Sequence, residues 1–482
     1  MRWRRAAEAR ALRAAPALRA SRPRIHPMTR YTIVGAGPVG ALMALLLAEQ
    51  GQRVRLIERR PDPRRAAPER GRSINLALAA RGLLALEQAG LMPRIAPAMI
   101  SMPGRMLHET DGALQFLRYG QNEREVIHAV SRERLNGLLL EAAALCPLIE
   151  LQFDSRCIDV DPQTLSLTWQ DERSARLVTE SFEVLLGADG AGSAVRAALE
   201  ARGYSHSREQ GLEHDYKELS IAPDPARGGR YAFEPHALHI WPRGGYMLIA
   251  LPNTDASFTA TVFLPRHGEP GFDHLRRRDA VLNLFESQFA DAARAIPDLA
   301  EQFAVHPQSR LGTLYCERWQ VEGRVLLLGD AAHAIVPFHG QGLNCGFEDC
   351  RELAALLRAP AAHDSAARAA SFLRFELERR PNSDAIAAMA LENYVEMREL
   401  VRSPQFARRQ RLAAALERRF PERFIPRYSM VMFHAQIPYA EAQQRGAAQE
   451  RVLAALMAEA HVHELEDASP ARVEALLDRA GL

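Results

Sequence analysis

Lysine is almost absent from this chain: of 61 basic residues only Lys217 is a lysine, and the rest are arginine. With the abundant alanine, this points to a GC-rich, bacterial coding sequence and says nothing about function. Paired cysteines are also missing. The five cysteines (Cys146, Cys157, Cys316, Cys345 and Cys350) are odd in number and contain no CxxC pair. They read as reduced, cytosolic thiols, with neither a disulfide framework nor a metal site. No apolar run approaches the ~18–20 residues that cross a bilayer. Internal repeats and low-complexity linkers are lacking beyond the N-terminal segment.

The body of the chain has no basic excess. The formal net charge of +2 arises from residues 1–27, which hold eight arginines against the single acid Glu8. The remainder has 53 basic and 58 acidic residues, a net charge of −5, which argues against a nucleic-acid binder. The Arg/Ala-rich opening has the composition of a mitochondrial transit peptide. The preferred reading is translation from Met28, with residues 1–28 a disordered or non-native extension. At 482 residues, 47% hydrophobic and 25% charged, the chain is long enough for two or three soluble domains.

The first ordered pattern is a βαβ unit. Tyr31-Thr32-Ile33-Val34 reads as a strand feeding Gly35-Ala36-Gly37-Pro38-Val39-Gly40, and residues 39–48 have a strong helical pattern. Gly51-Gln52 stops that helix, and Val54-Arg55-Leu56-Ile57 forms a strand ending at Glu58. Gly35, Gly37 and Gly40 have GxGxxG spacing. The first allows a tight turn, the second lets backbone approach a pyrophosphate, and the third lets helix and strand pack closely. Glu58, at the strand end, can accept hydrogen bonds from ribose hydroxyls. A glycine turn of purely structural use is the alternative.

Two further segments fit the same reading. Val184-Leu185-Leu186-Gly187-Ala188-Asp189-Gly190 is a buried strand ending in an acidic turn, with Ser193 and Arg196 following. A helix N-cap accounts for Asp189 but leaves Arg196 unexplained. Val325-Leu326-Leu327-Leu328-Gly329-Asp330 is another buried strand, followed by Ala331-Ala332-His333. Gly340-Gln341-Gly342-Leu343-Asn344 should open a helix whose first amides can stabilise negative charge. Residues 201–305 carry aromatic and β-branched runs separated by turn signals, as in an antiparallel sheet. Beyond about residue 380 the spacing is helical, at 393–400, 410–418 and 447–460.

The three segments, in this order, resemble the FAD-dependent aromatic monooxygenases of the 4-hydroxybenzoate hydroxylase type. More specific stretches resemble the kynurenine 3-monooxygenases. These are Gly71-Arg72-Ser73-Ile74-Asn75-Leu76-Ala77-Leu78, Leu238-His239-Ile240-Trp241-Pro242-Arg243, Ile335-Val336-Pro337-Phe338-His339-Gly340-Gln341-Gly342, Asn393-Tyr394-Val395-Glu396-Met397-Arg398 and Phe424-Ile425-Pro426-Arg427-Tyr428. The resemblance covers residues 29–435.

The resemblance implies an α/β fold: a discontinuous Rossmann-like FAD-binding domain (29–100, 125–200 and 305–380), an antiparallel β-sheet substrate domain (101–124 and 201–304) and a C-terminal helical region (381–482). It implies FAD contacts at Gly35, Gly37, Val39, Gly40, Glu58, Arg59, Arg60, Ala77, Arg132, Cys157, Asp189, Asp330, Gly342, Leu343 and Asn344. Substrate contacts carry over to Arg105, Tyr119, Asn393 and Tyr428, with Phe338 and His339 flanking the substrate ring. A guanidinium fork suits the carboxylate of an amino acid. Taken singly, Arg105 could be a surface ion pair, Tyr428 core and Asn393 a helix cap; for Arg132 a flavin contact is preferred over a surface helix arginine. His333 is expected to make a structural hydrogen bond.

The implied reaction is 3-hydroxylation of L-kynurenine by O2 through a C4a-hydroperoxyflavin, with NADPH as co-substrate. No residue is certainly catalytic, because an aniline nitrogen already activates its ring and removes the need for a dedicated base. The alternatives are a hydroxylase of another aromatic acid and a redox-sensitive flavin-binding module. Members on the mitochondrial outer membrane carry a hydrophobic C-terminal anchor. Residues 436–482 are instead polar and amphipathic, so a soluble, cytoplasmic form is expected, either monomer or homodimer, with no membrane span and no metal.

Overall fold

The computed structural model describes residues 30–65, 75–358, 364–397, 403–459, 462 and 464–482. The N-terminal extension, residues 71–74 and Arg398 lie outside the described residues.

A six-stranded sheet forms one half of the molecule. Its order is Gln320–Val321, Val325–Leu327, Val184–Gly187, Arg30–Val34, Arg53–Ile57 and Ile149–Gln152. All neighbours are parallel except the edge strand Gln320–Val321. The inner strands are continuously apolar because both faces are covered; Ile33, Leu185, Leu186, Val325 and Leu326 are wholly buried. Helices Pro38–Glu49, Arg132–Ala144 and Gly342–Leu356 belong to this core. The three sequence segments therefore end on adjacent parallel strands, where such sheets form ligand crevices.

The second large sheet has seven strands, ordered Gln308–Cys316, Ser207–Ile221, Phe258–Pro265, Met247–Pro252, Leu238–Pro242, Gly104–His108 and Leu114–Arg118. It is antiparallel apart from the pairing of Leu238–Pro242 with Gly104–His108. Alternation along the strands divides its faces. Trp241, Leu248 and Ala250 pack with Phe285 and Phe289 from helices on one side. Ile240, Met247 and Phe263 pack with Phe338 and Tyr394 on the other. Gln308–Cys316 lies in the span expected for the flavin domain, yet it pairs along the 15-residue strand Ser207–Ile221.

The helical region begins earlier than its sequence pattern suggested. Ser365–Val395 is one helix running through Pro381. Burial of Phe372, Phe375, Ile386 and Met389 along it outweighs the lost backbone bond. Pro404–Arg419, Arg427–Phe433, Tyr439–Ala458 and Pro470–Ala480 follow. Among the described residues, no helix is long and apolar enough to cross a membrane.

Candidate active site

The glycine loop is set by close approach. A Cβ on Gly40 would lie 2.0 Å from the Gly35 carbonyl oxygen, so only glycine lets the helix start there. At Gly37 a Cβ would meet nothing within 4 Å, because this position faces open space at the N-terminus of helix Pro38–Glu49. Glu58 stabilises the loop itself: Oε2 accepts from the Ala36 amide at 2.9 Å and Oε1 from the Arg60 amide at 3.0 Å. Arg59 and Arg60 are exposed.

Asp189 caps the helix Ala194–Ala201. Its Oδ1 accepts from Ser193 Oγ at 2.6 Å, and its Oδ2 from the amides of Ala194 at 2.7 Å and Val195 at 3.3 Å. Burial raises its pKa, and these bonds oppose that rise. Arg196 explains itself in three dimensions. It donates to the carbonyls of Ala331 at 2.8 Å and Ala191 at 2.6 Å, tying the second segment to the third.

Behind the third segment lies a buried ionic network that the sequence reading missed. His333 Nε2 is 2.5 Å from Asp349 Oδ2, and Arg379 donates to Asp349 Oδ1 at 2.8 Å and Glu348 Oε2 at 2.7 Å. Arg81 completes it at 2.6 Å from Glu348 Oε1. Burial pushes Asp349 up, but His333 and Arg379 outweigh it and hold the carboxyl at about 2. Burial lowers His333, and Asp349 overcomes it to raise the imidazole above its ordinary value. The available cue was charge on an otherwise buried helix, Gly342–Leu356. Asn344 is structural in its side chain, donating to the carbonyls of Ala77 and Gly340 and accepting from the Ala79 amide.

One cavity of about 410 Å3 runs between the two sheets. Gly37, Val39, Ala77, Arg132, Asp330, Gly342 and Leu343 line it. Arg105, Tyr119, Asn393, Tyr428, Phe338 and His339 line it as well. Gly35, Gly40, Glu58, Arg59, Arg60, Cys157, Asp189 and Asn344 are not on its walls. Cys157 is buried in the strand Ser155–Asp161, where burial pushes its thiol up to about 12. Glu218, Arg310 and Met397 line the cavity without having been singled out in the sequence.

The polar lining of the cavity is assembled from distant segments. Arg105, on the strand Gly104–His108, is half-buried and makes no ion pair among the described residues. Tyr119 and Tyr428 stack with centroids 5.6 Å apart and planes 18° apart, and His339 stacks on Tyr428 at 5.3 Å. Burial pushes Tyr428 up to about 12 and Tyr119 well above its ordinary value, while the Arg105 charge lowers both. Asn393 Nδ2 donates to the Phe338 carbonyl at 2.6 Å, and Phe338 stacks on Tyr394 at 4.1 Å. Burial holds His339 down at about 4, so the imidazole is neutral near neutral pH.

A dinucleotide loop, a helix N-terminus and a cavity roofed by a mixed sheet define a flavoprotein monooxygenase-type fold. The family described as "FAD binding domain" matches residues 28–390. The chain is 46% identical over 430 residues to a kynurenine 3-monooxygenase of Stenotrophomonas maltophilia, covering 89% of this chain and 92% of that protein. It is 44% identical over 425 residues to that of Myxococcus xanthus, covering 88% and 90%. The chain belongs to the kynurenine 3-monooxygenase family of FAD-binding proteins.

Two solved structures share the fold. A tetrameric form of 2-methyl-3-hydroxypyridine-5-carboxylic acid oxygenase has a TM-score of 0.61 at 19% identity, covering 81% of this chain and 96% of that one. PqsL of Pseudomonas aeruginosa, in complex with 2-aminobenzoylacetate, has a TM-score of 0.62 at 22% identity, covering 77% and 96%.

Proposed function

We propose that this chain catalyses the FAD-dependent, NADPH-consuming 3-hydroxylation of L-kynurenine by O2, a step of tryptophan breakdown that takes place in the cytoplasm. The observation that carries this reading is one cavity whose walls bring Gly37, Asp330 and Gly342 together with Arg105, Tyr119, Asn393 and Tyr428. The relatives bearing that activity in their names match nearly the whole chain.

The residues present fit the cofactor. The open space at Gly37, beside a helix N-terminus, admits a pyrophosphate, and Glu58 keeps acceptor capacity for a ribose. In this reading Gly35, Gly37 and Gly40 shape the loop, and Asp330 and Arg132 would hold the flavin's polar parts. The N-terminal amides of Gly342–Leu356 would stabilise negative charge on the bound cofactor. Bound FAD supplies the redox chemistry, passing electrons from NADPH to O2.

Arg105 takes the kynurenine carboxylate as a charge-assisted fork, with the Tyr119 and Tyr428 hydroxyls and the Asn393 amide around it. Phe338, with Ile240, Met247 and Phe263 behind it, presses on the aromatic ring and excludes water. The substrate's own amino group activates its ring, so the reaction requires no proton transfer by His339.

The test compares NADPH oxidation and hydroxylated product for L-kynurenine, anthranilate and 4-hydroxybenzoate, side by side. Coupled product from kynurenine supports the proposal. Coupled product from another acid, with none from kynurenine, replaces it.

A further inference from the structure

The strand Gly104–His108 sends alternate residues to opposite faces of its sheet. Arg105 lines the cavity described above, whereas Met106 and His108 line a second cavity of about 910 Å3 behind the sheet. His108 and His239 are only 2% and 1% exposed. They form a row of polar groups there. Asp291 Oδ2 is 2.5 Å from His108 Nδ1, His108 Nε2 is 2.8 Å from His239 Nδ1, and His239 Nε2 is 2.8 Å from the Glu234 carbonyl oxygen.

The row ends in an acceptor on both sides. A carbonyl oxygen and an ionised carboxylate accept hydrogen bonds and cannot donate them. Each of the three contacts therefore needs an N–H proton, and two neutral imidazoles supply only one each. Asp291 is the ionised partner. Burial opposes its charge, but His108, Trp241 Nε1 at 2.8 Å and the Ala292 amide at 3.0 Å hold it down at about 2. Burial also disfavours charge on His239 and keeps it near 4.

We infer that His108 and His239 together hold one extra proton, and that this buried cation, clamped by Asp291, fixes the strand that carries Arg105. Two elements meet the strand Gly104–His108 at the clamp, the helix Ala290–Ala295 through Asp291 and the strand Leu238–Pro242 through His239, and Arg243 donates to the His108 carbonyl at 2.9 Å. Trp241 stacks on His108 at 4.0 Å with planes 25° apart. The charged residues Arg227, Arg230 and Glu234 line the second cavity together with the pair. The motif Leu238-His239-Ile240-Trp241-Pro242-Arg243 thus supplies three parts of one device. His108 is a positioning residue, acting on substrate through Arg105.

The direct test is nitrogen-15 NMR of the histidine rings in the holoprotein, with His108→Gln and His239→Gln to assign the signals. Three ring N–H protons on the pair, unchanged between about pH 6 and about pH 8.5, are expected; two would overturn the inference. The second arm, which rests on the proposed function, is Asp291→Asn. Its kynurenine KM should rise about tenfold near pH 8 and recover towards pH 6 as the pair regains its proton, with kcat and FAD content changed by less than about twofold. An unchanged KM overturns the positioning role. If the wild type does not turn over kynurenine, or the variant does not fold, the ring-proton count alone decides.

Discussion

Tyr119 and Tyr428 stack at 5.6 Å between centroids, and the guanidinium of Arg105 acts on both phenols. Burial alone would leave the two hydroxyls as a poorly solvated pair, and a bound carboxylate gives them an anion to donate to. Arg105→Ala should therefore weaken kynurenine binding by about 2–3 kcal/mol, or roughly 30- to 150-fold, while FAD stays bound. Titration of the flavin absorbance with kynurenine measures it. Unchanged affinity would remove Arg105 from the substrate site.

Two glycines in one loop should behave differently. A Cβ on Gly40 collides with the Gly35 carbonyl, whereas one on Gly37 meets only open space. Gly40→Ala should lower both the melting temperature and the FAD content, and Gly37→Ala should lower FAD content with the apoprotein's stability nearly unchanged. Equal melting losses in the two apoproteins would contradict this.

The three segments were readable because each is a local pattern: an apolar run closed by glycine or aspartate on a parallel strand. Arg196 was visible as a residue but not as a tie to Ala331, since that contact joins different strands of the sheet. The Arg81–Glu348–Arg379–Asp349–His333 network left only one local cue, the charges Glu348 and Asp349 on a buried helix, because its partners are brought together only by folding. Pro381 hid the continuity of Ser365–Val395, and strand Gln308–Cys316 carried no mark of which sheet it would join. Asn393 and Tyr428 came from family resemblance; periodicity alone leaves them as helix residues.

The buried network sets the pH dependence of stability. Asp349 is depressed to about 2, so its contribution is present above the ordinary carboxylate range and is lost as pH falls from about 4 towards 2. His333 is raised, so its contribution is complete below about 6.5 and fades as pH rises through its folded value. Asp349→Asn leaves Arg379 and His333 short of their counter-charge and should cost about 3–5 kcal/mol near pH 6. The difference from wild type should shrink in alkali and in strong acid. A pH-independent difference in denaturation midpoint would contradict it.

His339 offers a sharper test of the chemistry. Burial keeps it neutral at physiological pH, and its Nδ1 has no hydrogen-bond partner among the described residues. His339→Gln should change kcat by less than about tenfold and leave its profile flat between about pH 6 and about pH 8. A hundredfold loss with a vanished inflection would make His339 a proton donor or acceptor.

Coupled oxygen insertion into kynurenine is read from the mass of the product formed under oxygen-18 gas. Purified yellow protein with NADPH and L-kynurenine should form product carrying one oxygen-18 atom, in nearly equal amount to the NADPH consumed. NADPH consumption without labelled product, or no stimulation by kynurenine in FAD-loaded protein, would contradict it.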